Sequence, residues 1–97
     1  MIREALAELK VHGGKLVKCQ LKVDDEGELL KVNFFGDFFL HPEEEIERLE
    51  AALTVVSLKE LPHWTEELFG EDGFELVGVG PKDFRAVVEA AIGKLGL

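Results

Sequence analysis

Two neighbouring stretches of alternating polarity constrain the fold of this sequence more than any other feature. In residues 15–23 (KLVKCQLKV) every second position is apolar: Val17, Cys19, Leu21 and Val23. Polar and basic residues stand between most of them, which is typical of a strand with one buried face. Residues 24–27 (DDEG) have the composition of a tight connection. Residues 28–35 then alternate again, so we predict an antiparallel hairpin with Lys18 and Lys22 on its outer face.

In the second strand of this hairpin the alternation separates two sets of residues. The set predicted to share the face of Val32 also contains Leu30 and Phe34. The opposite face receives Leu29, Lys31, Asn33 and Phe35. One face of each strand therefore contributes to a core, as in a two-layer domain.

Helical periodicity dominates the remainder of the chain. Residues 1–10 place Ile2, Leu6 and Leu9 at roughly helical spacing, which predicts a short helix or a fraying arm. Residues 42–53 begin with Pro42 and an acidic turn, and residues 81–95 carry the longest apolar stripe. A further helix is expected over residues 62–69, burying Leu61, Trp64 and Leu68, and an extended segment over residues 74–79. Ser57 with Glu60 matches a capping box.

Strands followed by helices predict an α+β fold. We expect a small antiparallel sheet covered on one face by two to four helices, all within one domain over residues 1–97. The chain has 46% apolar residues, which is enough for a packed core. It contains no apolar run of the length that spans a membrane, so we expect no membrane partner.

The net charge of −9 argues against nucleic acid as a partner, because phosphate binding needs clustered cations. The charge is uneven: residues 1–23 sum to +3 and residues 24–97 to −12. The single cysteine, Cys19, cannot form an internal disulfide, and we expect a reducing, cytoplasmic location. Its place in the alternation favours a buried strand residue over a reactive thiol.

No pattern of catalytic or metal-binding residues emerges. The three histidines, His12, His41 and His63, form no i, i+4 pair, so we predict neither a metal site nor a catalytic residue. The acidic residues Glu43, Glu44 and Glu45, together with Glu47 and Glu50, are better explained as a solvated acidic helix N-terminus than as a metal or acid–base cluster. We expect no cofactor to bind this chain alone.

Two motifs are candidates for a surface that contacts a partner or substrate. The first is Gly13-Gly14-Lys15, which leads into the strand that carries Lys18. It also fits a plain turn followed by a solvated strand face. The second is Gly36-Asp37-Phe38-Phe39. It also fits packing of the phenylalanines in the core, with Asp37 satisfying backbone groups of a turn.

These motifs carry a family resemblance. The stretch HGGKLVKCQLKV, followed by VNFFGDFFLHPEEEIERLEAAL and later by GVGPKDFRAVVEAAI, resembles the C-terminal accessory domain of lipoate–protein ligases. The resemblance extends from about residue 11 to residue 92, and a chain of this length looks like the form in which that domain is a separate subunit. His12 stands where proline is common in the family pattern, and residues 61–73 are longer than a minimal hairpin.

The resemblance implies a function that depends on a partner. The accessory domain would act with a lipoate–protein ligase catalytic subunit, which holds ATP, Mg and lipoate, and would be needed for activation of lipoate to lipoyl-adenylate. The lipoyl group is then transferred to a lysine of a lipoyl carrier protein. The resemblance also implies a fold similar to iron–sulfur scaffold proteins. Lys15 is the residue that we expect to reach an anionic group.

Two other functions remain open from the sequence. An iron–sulfur scaffold or sulfur-carrier module would need an exposed, activated cysteine, and the predicted inward position of Cys19 argues against it. A generic protein-interaction module would have no ligase role.

Overall fold

The first three strands form one antiparallel sheet in the computed structural model, which describes residues 1–11, 13 and 15–97. Strand β1 spans Arg3–Lys10, β2 spans Leu16–Val23 and β3 spans Leu29–Gly36, with β2 in the centre. The predicted hairpin is confirmed in place, and the two faces of β2 are those predicted. Val17 and Leu21 are fully buried, whereas Lys18 lies on the opposite face.

The prediction of a helix or arm over residues 1–10 is wrong, because this segment is strand β1. Ala5 and Ala7 alternate into the core, while Ile2 and Leu6 are exposed. Ile2, Leu6 and Leu9 have helical spacing, but the residues that carry the burial are the small ones between them. Antiparallel pairing of β1 with all eight residues of β2 outweighs the weak local preference of this segment for a helix.

The predicted faces of β3 are correct for Val32 and Phe34 and wrong for Leu29 and Leu30. A bulge shifts the pairing so that Lys22 lies opposite Lys31 but Val23 lies opposite Leu29. Because an extra residue inverts the alternation, Leu29 is buried and Leu30 is exposed.

The other elements follow in the expected order. Strand β4 spans Phe39–His41, α1 spans Glu45–Thr54 and α2 spans Leu61–Phe69. Strand β5 spans Glu75–Val77 and pairs antiparallel with β4 in a second, two-stranded sheet. Helix α3 spans Pro81–Lys94. The α+β prediction of a small antiparallel sheet and helices is thus confirmed, with three helices in the described part of the chain.

Two details of the helices differ from the prediction. Helix α1 begins at Glu45 rather than at Pro42, whose carbonyl instead accepts the Glu45 N–H in a preceding turn (3.1 Å). In α2 the buried residues are Leu61, Thr65 and Phe69, and Trp64 is exposed. The hydroxyl of Ser57 accepts the Glu60 N–H at 3.3 Å, so it caps the turn before α2 and not the helix itself.

Helices α1 and α3 pack on one face of the three-stranded sheet, and α2 packs on both of these helices. An aromatic cluster occupies the core between them. The rings of Phe69 and Phe84 are stacked with centroids 3.9 Å apart. Phe34 of β3 meets both edge-on, at 5.2 and 5.4 Å. Phe38 meets Phe84 edge-on at 5.0 Å. The cluster joins the sheet, α2, α3 and the segment that follows β3.

Side chains from the helices contact both outer edges of this sheet. The Phe34 N–H on β3 donates to the carboxylate of Glu50 in α1 at 2.7 Å. On β1 the Leu6 carbonyl accepts a hydrogen bond from the Lys94 ammonium of α3 at 3.1 Å. Helices α1 and α3 are thereby attached to opposite edges.

Gly36 ends β3 in a conformation that other residues avoid. Its φ is +142°, and a Cβ at this position would lie 2.1 Å from the carbonyl oxygen of Leu16. Only glycine allows β3 to approach the start of β2 this closely.

Replacing Gly36 by alanine should therefore destabilise the fold by about 2–3 kcal/mol or more, because both the backbone of Leu16 and the positive φ resist a Cβ. Gly93→Ala is the control, because this glycine is exposed in α3 with open space around it. Alanine there should raise the free energy of unfolding by at most about 1 kcal/mol. Urea unfolding measures both. Equal stability of Gly36→Ala and the parent protein would contradict the close approach.

Candidate functional site

The two motifs singled out in the sequence meet at one end of the three-stranded sheet. Because the strands are antiparallel, the start of β2 lies beside the end of β3, and Val17 pairs with Gly36. Lys15 therefore lies near the Gly36-Asp37-Phe38-Phe39 segment, and Gly13 is exposed in the preceding turn. Gly14, predicted as part of this surface, and His12 lie outside the described residues.

Asp37 joins the two motifs through the backbone of Leu16. Its carboxylate accepts the Leu16 N–H, and its own N–H donates to the Leu16 carbonyl at 3.1 Å. These two hydrogen bonds continue the β2–β3 pairing beyond Gly36. Asp37 thus has the structural role, satisfying backbone groups of a turn, that the sequence left open.

The two phenylalanines after Asp37 have different surroundings. Phe38 is half-buried and packs on Phe84 in the core. Phe39 begins β4, opposite Val77 of β5, and 64% of its surface is exposed. Core packing therefore accounts for Phe38 and leaves Phe39 as a surface residue.

Phe39 borders an open, largely apolar groove of about 270 Å³ between the end of β3, β4 and the start of α1. Phe35 lies on the same groove and is also exposed. Its walls include Phe38, Leu40 and Ile46, and Glu43 contributes the carboxylate. A groove of this kind can accept an apolar side chain of a partner beside a positively charged group.

Lys15 is half-buried at the same end of the sheet. Its aliphatic stem packs against Gly78 in the loop between β5 and α3, where an added Cβ would lie 3.0 Å from the Lys15 Cγ. Its carbonyl accepts the Val11 N–H at 2.7 Å. The stem is therefore held by the fold, as expected for a lysine whose ammonium extends toward solvent.

Lys18 belongs to the opposite face of the sheet from Lys15. Its ammonium lies 5.9 Å from the ring centroid of Phe35, its cross-strand partner. This distance is within the range of a cation–π interaction, worth about 0.5–1 kcal/mol at an exposed position. The two lysines thus border the groove end of the sheet from different sides.

The sequence does not indicate Val77 or the role of Phe35 beside the groove, and the prediction that Glu50 is solvated is wrong. Glu50 is half-buried in α1, and its carboxylate accepts the Phe34 N–H at the edge of β3 because the helix packs against that strand. Val77 is half exposed opposite Phe39. That pairing joins residues far apart in the chain, so no local pattern indicates it.

Within the described ranges no three His, Cys, Asp or Glu side chains are grouped as metal ligands would be. None of the helices in this part of the chain has the length and apolarity needed to cross a bilayer. The arrangement consists of contact surfaces: an apolar groove, an exposed aromatic side chain and lysines nearby.

Comparison with known proteins gives a likeness to one solved system. No family model matches the chain, and no curated protein matches it. Among solved structures, the chain resembles one from the archaeal lipoylation system of Thermoplasma acidophilum, a bi-partite lipoate protein ligase with its E2 lipoyl domain. The TM-score is 0.69, with 26% sequence identity over 91% of this chain and 94% of that chain. The resemblance to lipoate–protein ligases that the motifs indicated is thereby confirmed.

The position of Cys19 bears on the alternative of an iron–sulfur scaffold. Its side chain is fully buried in the centre of β2. Burial, together with the smaller effect of the nearby Glu50 carboxylate, raises the pKa of this thiol to about 12. A thiol held neutral in the core is a poor nucleophile and a poor metal ligand.

Cys19 of the native protein should therefore react very slowly with a thiol reagent at pH 8 and rapidly once urea has unfolded the chain. Above about pH 8.5 the unfolded thiol loses its proton while the folded one keeps it, so stability should fall by about 1.4 kcal/mol per pH unit toward pH 12. Cys19→Ala should lack this component. Rapid labelling of the folded protein would restore the scaffold hypothesis.

Proposed function

We propose that this chain is the accessory subunit of a two-chain lipoate–protein ligase. It acts with the catalytic subunit in the ATP-dependent activation of lipoate to lipoyl-adenylate, before the lipoyl group is transferred to a lysine of a lipoyl carrier protein. ATP, Mg and lipoate are held by the catalytic subunit, and this chain binds none of them alone. The likeness to the archaeal lipoylation system carries the proposal.

The extent of that likeness favours the role of a small subunit. The match covers 91% of this chain and 94% of the other, so the two chains are of similar length throughout. Two of the segments that carry the resemblance, the strand that begins at Leu16 and residues 36–39, meet at one end of the sheet, where Asp37 forms two hydrogen bonds with the backbone of Leu16.

The experiment is reconstitution with a catalytic subunit of such a ligase. Lipoate-dependent release of pyrophosphate from ATP should be low for either chain alone and high for the mixture, because adenylation is the step that needs the accessory subunit. Supplying preformed lipoyl-adenylate tests the second step: the catalytic subunit alone should then lipoylate the carrier. Equal adenylation by the catalytic subunit with and without this chain would disprove the accessory role.

A second prediction concerns Lys15. If its ammonium contacts an anionic group in the complex, Lys15→Ala should weaken complex formation or adenylation by about 1–3 kcal/mol, the range for loss of a charge-assisted hydrogen bond. Stability of the isolated chain should fall by less than about 1 kcal/mol, since the side chain is half-buried at the end of the sheet.

Lys82→Ala is the matched control, because Lys82 is an exposed lysine in the first turn of α3. It removes the same charge and should leave adenylation unchanged. Pyrophosphate release at limiting concentrations of the accessory chain measures both variants. If Lys15→Ala activates the catalytic subunit as well as Lys82→Ala does, Lys15 contacts no anion in the complex.

A further inference from the structure

One face of the three-stranded sheet is not covered by any described part of the chain. The helices occupy the face of Val17 and Leu21. The strand pairing places three cross-strand rows on the other, open face: Glu4–Lys22–Lys31, Leu6–Gln20–Asn33 and Glu8–Lys18–Phe35, with Lys10 and Leu16 beside the last row. An antiparallel sheet can leave one face to solvent, but such faces are then usually polar throughout.

The open face has the opposite charge from the remainder of the protein. It carries four lysines and two glutamates, a net charge of +2, in a chain whose total is −9. All other residues together therefore sum to −11. The positive side of an otherwise strongly negative molecule is a surface that favours a negatively charged partner.

Most lysines of this face have no ion-pair partner among the described residues. Of the four, only Lys22 forms an ion pair, with Glu4 at 3.4 Å. Lys22 also lies directly opposite Lys31, an arrangement of like charges that costs stability in a sheet. A surface carboxylate brought by a partner would relieve this repulsion.

Apolar side chains lie among these charges. Leu6 is 52% exposed in the middle row, and Phe35 is 42% exposed beneath the Lys18 ammonium. Phe35 also borders the groove that contains Phe39, so the apolar surface continues around the end of the sheet. Apolar anchors within a charged surround are characteristic of protein–protein interfaces.

The open face alone is too small for a standard protein–protein interface, so the interface must continue onto neighbouring surface. Three eight-residue strands present roughly 26 by 14 Å, which is less than the ~800 Å² that each partner contributes to a standard interface. The groove and the exposed ring of Phe39 extend the area in the one direction where apolar surface is contiguous with Phe35.

We propose that the open face of the sheet, extended over Phe35 and Phe39, is the docking surface for the ligase catalytic subunit. The catalytic subunit meets the lysines of the face with carboxylates, and it meets the groove beside Glu43 with an apolar side chain next to a cation. This inference rests on the proposed function and adds to it the surface used. A second copy of this chain is a poorer occupant, because two such faces would oppose lysines to lysines. Nucleic acid is also a poorer occupant, because Glu4 and Glu8 lie among the cations.

The test is a double charge reversal, Lys18→Glu with Lys31→Glu, compared with Lys59→Glu with Lys82→Glu. The control changes the net charge by the same amount at two exposed lysines outside the sheet. A carboxylate at position 31 would lie opposite Lys22, whereas one at position 18 would lie opposite Glu8. Circular dichroism and urea unfolding of both variants therefore establish that each is folded before binding is compared. Calorimetric titration with the catalytic subunit measures Kd for each protein at 50 and 300 mM salt.

We expect the face variant to bind at least tenfold more weakly at 50 mM salt and to show a smaller salt dependence, with the control within about twofold of the parent. Equal weakening of both variants, or of neither, while the parent binds and activates the catalytic subunit, would overturn the docking surface and leave the proposed function standing. A parent chain that does not bind the catalytic subunit at all would overturn the proposed function itself. A dimer of this chain alone, abolished in the face variant, would assign the surface to a second copy.

Discussion

The stacked pair of Phe69 and Phe84 is the interaction on which the other parts of the structure depend. Helices α2 and α3 meet there, and Phe34 closes the cluster from the sheet at 5.2 and 5.4 Å. Aromatic pairs of this geometry add about 0.5–1.5 kcal/mol each beyond the area that they bury. Phe38 joins the same cluster from the segment after β3. The position of the exposed Phe39, one residue later, is therefore set by packing in the core.

The contact of β2 with the residues that follow β3 gives this end of the sheet its shape. Gly36 permits the close approach to Leu16, and Asp37 uses both its carboxylate and its N–H to bond the same residue. The chain is thereby turned away from the three-stranded sheet and into β4. One short motif thus supplies a glycine for space, an aspartate for hydrogen bonds, a phenylalanine for the core and a phenylalanine for the surface.

The sequence predicts the parts of this fold that depend on local periodicity. The hairpin of β2 and β3 and the last helix follow from patterns within a single element, and both are confirmed. Strand β1 could not be predicted in this way, because its buried residues are Ala5 and Ala7, whose small side chains suit close packing of α3 and carry little hydrophobic signal. The bulge that inverts Leu29 and Leu30 depends on the pairing with β2 and leaves no mark in the alternation itself.

The candidate site shows the same division. The basic outer face of β2 follows from the alternation, whereas the pairing of Phe39 with Val77 and the contact of Glu50 with Phe34 join residues that only the tertiary structure brings together. Which face of α2 is buried is likewise not evident from the sequence. Trp64 has a larger apolar surface than Thr65, but Thr65 is the buried residue, and its hydroxyl donates to the Leu61 carbonyl at 2.7 Å.

The helix side chains on the two sheet edges have a consequence for the chain before it meets any partner. An exposed edge strand offers unpaired N–H and C=O groups to which a strand of another molecule can add, and aggregation begins in this way. Here the Glu50 carboxylate accepts the Phe34 N–H on one edge, and the Lys94 ammonium donates to the Leu6 carbonyl on the other. An incoming strand would have to displace a charged group at either edge. Addition of a strand at these two positions is thereby disfavoured in a small protein that exposes leucine and phenylalanine side chains.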